Sequence, residues 1–273
     1  TDDAIAWYEN ASITPSLPTF TKSTIEGSFN RAHSVFATDV DGDGDVDVLG
    51  AAGSVEGGAN DITWWENNGS ESFTEHTIDG DFNGAYSVYA ADVDGDGDMD
   101  VLGAAYVADD ITWWENNGSE SFTEHTIDGD FDGAVSIYAT DVDGDGDVDV
   151  LGAAGGADDI TWWENNGSES FTKHTIDGDF DNAIDVYAID VDGDGDVDVL
   201  GAAPAANDIA WYENKTTVVS GNAGFRMLSS PVAGTIYDEL LAPFWTQGMT
   251  GADYTGGDAN VWTYNAATSA WAA

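Results

Sequence analysis

Asp39-Val40-Asp41-Gly42-Asp43-Gly44-Asp45-Val46-Asp47 places five carboxylates within nine residues, and near-copies begin at Asp92, Asp141 and Asp190. Without a cation, such a density of like charge repels itself strongly. Alternate aspartates on a tightly turning loop converge on one point, and glycine at the sixth position permits the sharp turn that a Ca²⁺ loop needs. Positions one, three, five and nine then offer carboxylates, and position seven its main-chain carbonyl. Hard oxygen donors in that number favour Ca²⁺ over Mg²⁺, Zn²⁺ or copper. The candidate ligands are Asp39, Asp41, Asp43, Asp45 and Asp47; Asp92, Asp94, Asp96, Asp98 and Asp100; Asp141, Asp143, Asp145, Asp147 and Asp149; and Asp190, Asp192, Asp194, Asp196 and Asp198. About four calcium ions are expected, one per loop.

No Glu stands at position twelve and no helix follows. Asp100-Val101-Leu102-Gly103-Ala104 runs straight into a strand, so the ion would staple a β-hairpin. A merely solvated turn has no reason to repeat five carboxylates and two glycines four times.

The loops sit in a longer repeat. Successive first aspartates are 53, 49 and 49 residues apart, and the four extra residues lengthen one loop around Ser54 to Gly58. Each unit holds four short β-rich stretches and no helical periodicity. In the second unit they are Phe73–Ile78, Ser87–Ala91, Asp100–Ala105 and Asp110–Asn116, with Asn-Asn-Gly-Ser hairpin turns between strands. Four strands per unit of 40 to 50 residues is the pattern of a propeller blade, with a sandwich as the runner-up. The predicted fold is therefore all-β, a β-propeller of four-stranded blades. The Ile62-Thr63-Trp64-Trp65 strand puts large side chains on both faces, and Phe29, Phe82, Phe131 and Phe180 form a fixed column ten residues before each loop. Both read as core between blades.

The loop followed by Leu-Gly-Ala-Ala, or Gly201-Ala202-Ala203-Pro204 in the last copy, resembles the FG-GAP repeat of integrin α-subunit propellers and of bacterial VCBS-type repeat proteins. The resemblance covers about residues 1–214 and implies calcium at the aspartates named above. The Trp-Trp-Glu-Asn-Asn-Gly and Phe-Thr-Glu-His-Thr-Ile segments are similar to repeats of secreted marine bacterial proteins. Propellers of the family usually have seven blades, more than this chain supplies. Ile5-Ala6-Trp7-Tyr8-Glu9-Asn10 copies Ile209-Ala210-Trp211-Tyr212-Glu213-Asn214 but has no acidic loop ahead of it. Either blades are missing upstream, or the ring is small, or the unmatched strand completes a blade in another molecule and builds a filament.

A domain boundary is expected after Lys215, giving a repeat domain over 1–215 and a small β-rich module over 216–273. The module contains Gly224-Phe225-Arg226-Met227-Leu228-Ser229-Ser230-Pro231, Phe244-Trp245-Thr246-Gln247-Gly248 and Val261-Trp262-Thr263-Tyr264. It is similar to modules that precede the sorting domain in proteins exported by the type IX route.

The 273 residues carry 53 Asp+Glu against five Lys+Arg, a formal charge of -48. That argues against nucleic-acid and anionic-membrane partners. With 42% hydrophobic residues and 11 Trp, the chain has the means to build a packed interior. Cysteine is absent, which excludes disulfides, thiolate metal sites and thiol nucleophiles. No run reaches the 18 apolar residues of a membrane span, and a chain beginning at Thr1 reads as a processed or truncated piece. The acidic excess suits a high-salt setting, where screening is short-ranged. Sequons such as Asn68-Gly69-Ser70 are already explained as hairpin turns.

Catalysis needs one asymmetric constellation, whereas here the polar groups recur in identical form. His76, His125 and His174 share one column, filled by Ser23 in the earliest copy, and the singular His33 has no nucleophile motif beside it. The expectation is a non-enzymatic, secreted or cell-surface, calcium-stabilised protein for adhesion or extracellular self-assembly, with self-association, a glycan or a surface protein as partner. A carbohydrate-binding propeller lectin is the alternative, decided by whether Trp65, Trp114 and Trp163 are exposed. A polysaccharide lyase is a more distant one.

Overall fold

Strand β1 (Ala32–Thr38) enters the first acidic loop, β2 (Asp47–Ala52) leaves it, and β3 (Asp61–Asn67) and β4 (Phe73–Asp79) complete an antiparallel sheet in chain order. The computed structural model describes residues 20–53 and 60–215, together with the backbone of 263–265 and 270–272. The unit recurs as β5 (Ala85–Ala91), β6 (Asp100–Ala105), β7 (Asp110–Asn116) and β8 (Phe122–Asp128), and again as β9 (Ala134–Thr140), β10 (Asp149–Ala154), β11 (Asp159–Asn165) and β12 (Phe171–Asp177). The strand at Phe73 thus closes the first sheet rather than opening the second as the sequence suggested, because the Asn-Asn-Gly-Ser turn pairs it back onto β3. A final sheet holds three strands, β13 (Asp185–Ile189), β14 (Asp198–Ala203) and β15 (Asp208–Tyr212). The fold is all-β, built of repeated antiparallel sheets. No helix occurs and no closed ring is found among the described residues.

The chain divides into two compact units, residues 1–218 and 219–273. In the second, β16 (Thr263–Asn265) pairs antiparallel with β17 (Ala270–Ala272). The expected N-terminal strand Ile5–Asn10, the long loop around Ser54 to Gly58, and the segments 224–231, 244–248 and 261–262 lie outside the described residues.

Register explains the packing. Phe36 pairs with Leu49, Leu49 with Trp64 and Trp64 with His76, so one face carries a continuous apolar row. Equivalent rows in neighbouring sheets meet: Phe36, Tyr89, Tyr138 and Tyr187 form a ladder with ring centroids 4.5, 4.9 and 4.9 Å apart. Aromatic edges and faces at such spacing add to burial. On the other face, Phe82 stands edge-on to Trp114 and Phe131 to Trp163, each at 4.9 Å. Each core cluster takes residues from two adjacent sheets, Leu49 and Trp64 with Val88 and Val101 in the first. The phenylalanine column and the Trp-Trp strand are thus inter-sheet core: Phe131, Ile62, Trp64 and Trp114 are all at least 98% buried.

Glycine at one position of the second strand makes room for this pairing. A Cβ on Gly103 would lie 2.9 Å from both Phe82 and Trp114, and Gly50 and Gly152 face equally close rings. At Gly201 the partner strand carries Tyr212 in place of Trp, and the nearest atoms are Phe180 at 3.0 Å and Ile160 at 3.3 Å. Gly103→Ala is therefore expected to destabilise by about 1–3 kcal/mol through overpacking, and Gly201→Ala by clearly less. Denaturant unfolding of the two variants checks this, and equal losses would show that the aromatic pair is not the cause.

Candidate metal centre

Each acidic loop is shaped by its own carboxylates. Asp39 accepts from the N–H groups of Gly42 (2.8 Å) and Gly44 (2.9 Å), Asp41 from Asp43 (3.0 Å) and Asp43 from Asp45 (2.8 Å). The second loop repeats the pattern from Asp92, with Gly95 and Gly97 donating at 2.8 and 3.1 Å. Gly44, Gly97, Gly146 and Gly195 take φ between 95° and 103°, a conformation that side chains rarely adopt.

The turn brings carboxylate oxygens together. Those of Asp39, Asp41 and Asp43 lie within 4.8 Å of one another, as do those of Asp92, Asp94 and Asp96, of Asp141, Asp143 and Asp149, and of Asp190, Asp192 and Asp194. Positions one, three and five cluster in three loops, and in the loop beginning at Asp141 position nine takes the place of position five. At position seven, Asp45, Asp98 and Asp147 instead lay their carboxylates over Gly69, Gly118 and Gly167 of the Asn-Asn-Gly-Ser turns, so close that a Cβ there would clash. This leaves the position-seven carbonyl as the donor to consider. An all-oxygen donor set of carboxylates fits a hard divalent cation.

Asp47, Asp100, Asp149 and Asp198 at position nine are wholly buried. One oxygen of Asp100 accepts from Val93 N–H in its own loop (2.8 Å), the other from Asn116 N–H at the end of β7 (2.8 Å). Burial nonetheless pushes its carboxyl up to about 7, and that of Asp149 to about 6. Asp47 is also raised, foremost by burial. At Asp198 burial pulls upward too, but hydrogen bonds from Val191 and Asn214 outweigh it and the carboxyl falls below its ordinary range. Asp41, Asp94 and Asp143 are raised by burial first, with neighbouring aspartates adding repulsion.

One group that sequence reading did not single out belongs to this site. The Asn116 side chain donates to Val40 O of the preceding loop (3.1 Å) and to Met99 O of its own (3.2 Å). Asn165 bridges Val93 and Val148 in the same way, and Asn214 bridges Val142 and Val197. The recurrence of this Asn was visible, but its reach into the previous unit was not. The histidine column proves structural: His76, His125 and His174 stack on Trp64, Trp113 and Trp162 at 4.6–4.7 Å. Each also bonds Glu66, Glu115 or Glu164 at 2.8–2.9 Å. Cross-strand pairing of Trp with His was the available signal. His33 meets Gly53 O at 3.1 Å and stacks on Tyr86 at 4.2 Å.

These features define an all-β tandem-repeat protein with one carboxylate cluster per sheet. The FG-GAP-like repeat family matches residues 39–103, 92–152 and 141–201, more than half of the chain, and the chain belongs to that family. No curated protein matches it. Among solved structures it is similar to an Agrocybe aegerita lectin described for specific recognition of non-reducing terminal N-acetylglucosamine. The two share 21% identity at a TM-score of 0.45, over 63% of this chain and 47% of the lectin. It is also similar to the V. cholerae biofilm matrix protein Bap1, with 19% identity and a TM-score of 0.40, over 67% of this chain and 30% of that one. The chain thus spans under half the length of either.

In metal-free protein, a carboxyl raised by folding contributes stability that is full below its unfolded value near 3.8 and lost as pH rises through its folded value. With chelator present, stability should fall from pH 4 to about 7 on account of Asp100 and to about 6 on account of Asp149, by up to about 1.4 kcal/mol per pH unit for each. Asp100→Asn should flatten the upper part of that slope in urea titrations at stepped pH. An unaltered slope would remove Asp100 as its source.

Proposed function

We propose that the protein is a non-enzymatic, calcium-stabilised repeat protein of the extracellular space, its sheets the blades of a β-propeller and its role adhesion or self-assembly. The observation that carries this reading is the fourfold recurrence of converging carboxylates on a glycine-turned hairpin. Membership of the FG-GAP-like family supports it. Positions one, three, five and nine, with the position-seven carbonyl, would hold each ion, and the ion would supply charge neutralisation at the base of the hairpin. Ions that bind only the folded loops stabilise by mass action, about 2.7 kcal/mol per site at a hundredfold excess over Kd. Extracellular modules of this kind bind with Kd on the order of 10⁻⁴ to 10⁻³ M, so calcium-rich surroundings would keep the loops filled. Folding would then depend on location.

Self-assembly has support in the last sheet. Its three strands leave Ile209 81% and Trp211 46% exposed, while Ile111 and Trp113 in the second sheet are covered. Carbohydrate binding through Trp65, Trp114 and Trp163 finds less support, since all three are at least 95% buried. Nothing singular among the described polar groups favours a lyase.

Calorimetric titration should return about four calcium sites, and each filled site should raise the melting temperature by roughly 5–10 °C at hundredfold excess. A melt indifferent to chelator would sink the calcium reading. Sedimentation with calcium present tests assembly separately, where a strictly monomeric profile counts against it.

A further inference from the structure

A cavity of about 460 Å³ opens between the first and second sheets, away from the acidic loops. Its walls include the carboxylates of Asp79, Asp110 and Glu124 and the rings of Phe82, Trp114 and Phe122. The repeat provides an internal reference for it. The same columns one unit later are Asp128, Asp159, Lys173, Phe131, Trp163 and Phe171, so among these six only Glu124 changes character, to Lys173; of the other lining residues Asn83 becomes Asp132.

In that next groove the lysine lies against the equivalent groups. Lys173 Nζ lies 2.8 Å from Asp128 Oδ2, 5.0 Å from the centre of the Phe131 ring and 5.8 Å from that of Trp163. A carboxylate and two aromatic faces converging on one ammonium form a cation–π and ion-pair cage. The side chain of Asp128 is only 13% exposed there, so the pair is better shielded than an ordinary surface ion pair. Between the first and second sheets the carboxylate of Asp79 and the rings of Phe82 and Trp114 are retained, while the cation is replaced by Glu124. Asp110 shows the consequence: its carboxyl is raised by burial and next by the like charge of Glu124, whereas the equivalent Asp159, also raised by burial, is held back in part by the charge of Lys173.

The geometry points to a binding site for an alkylammonium group, of the kind a lysine side chain presents, in the cavity lined by Asp79, Phe82, Asp110, Trp114, Phe122 and Glu124. The guest would take the place that Lys173 occupies one unit further on. Glu124 would add a further carboxylate that the self-filled groove lacks. The volume suits a small ligand of this length.

The test uses Nα-acetyl-lysine methylamide as probe, in saturating calcium and 0.15 M salt, followed through the Trp114 indole N–H resonance. One saturable site is expected, with affinity weakened at least tenfold for the uncharged norleucine analogue. Glu124→Lys should fill the cavity from within and abolish binding while leaving the melting temperature unchanged or higher. Lys173→Glu should open the neighbouring groove and raise the count to two sites. Binding that survives Glu124→Lys, a norleucine analogue that binds equally well, or a Lys173→Glu variant that still shows one site would each overturn the assignment. So would probe uptake without saturation, the mark of non-specific attraction to a chain of charge -48.

Discussion

A buried carboxylate at the base of each acidic hairpin is the joint on which the rest of the molecule turns. Asp100 holds the start of its loop through Val93 and the end of β7 through Asn116. The amide of Asn116 then reaches Val40 in the preceding loop. Asp149 and Asn165 repeat the linkage to Val93, and Asp198 and Asn214 to Val142. The four loops are therefore not separate turns but successive links of one hydrogen-bonded chain. A buried ionised group costs a great deal unless it is paired. These aspartates meet that cost with two N–H donors each, and where burial is deepest the donors do not suffice, as the value near 7 for Asp100 records. A cation against the neighbouring carboxylates would supply the missing compensation.

Because the repeats are nearly identical, the places where they differ carry the individuality of the chain. Trp163 reaches across to Asp128 with its indole N–H at 3.2 Å, and Tyr212 reaches Asp177 with its hydroxyl at 2.9 Å. In the first unit the column of Asp79, Asp128 and Asp177 holds Glu26 instead, one methylene longer. It turns back onto Ser28, and the buried Trp65 indole N–H is left without a partner. A lone buried donor costs on the order of 1–3 kcal/mol, which makes the first sheet's preceding face the weak point of this column. The exchange of Glu124 for Lys173 is the counterpart on the other side of the same grooves.

How much of this was legible in the sequence follows from the distance over which each feature acts. Strands and turns were readable because alternation and Asn-Gly chemistry are local, and β6 and β7 lie within the limits read from residues 100–116. The convergence of Asp39, Asp41 and Asp43 was readable for the same reason, since two glycines and a nine-residue loop leave few other arrangements. The bridges made by Asn116, Asn165 and Asn214 were not, because they join residues 72 to 76 apart through the stacking of sheets. The cavity beside Glu124 was hidden for a related reason: in one unit alone, Glu on a strand edge is an ordinary solvated residue. Only the sheet-to-sheet superposition of Phe, Trp and Asp columns gives it a counterpart in Lys173.

Charge arithmetic places a limit on what calcium would do here. Four divalent ions would offset about eight of the forty-eight net negative charges, so they cannot relieve the repulsion of the whole surface. Their effect must be local, exerted where carboxylate oxygens stand within 4.8 Å of one another and the field of one aspartate on the next is barely screened. The remaining charge lies mostly on exposed turns and strand edges, such as Asp81, Asp130 and Asp179, where dissolved salt screens it over about 8 Å. Two kinds of ion would thus have separate work in this chain: a dication bound at each hairpin, and a diffuse atmosphere around the sheets. Stability should accordingly respond to calcium at constant ionic strength and to monovalent salt at constant calcium, because neither can substitute for the other.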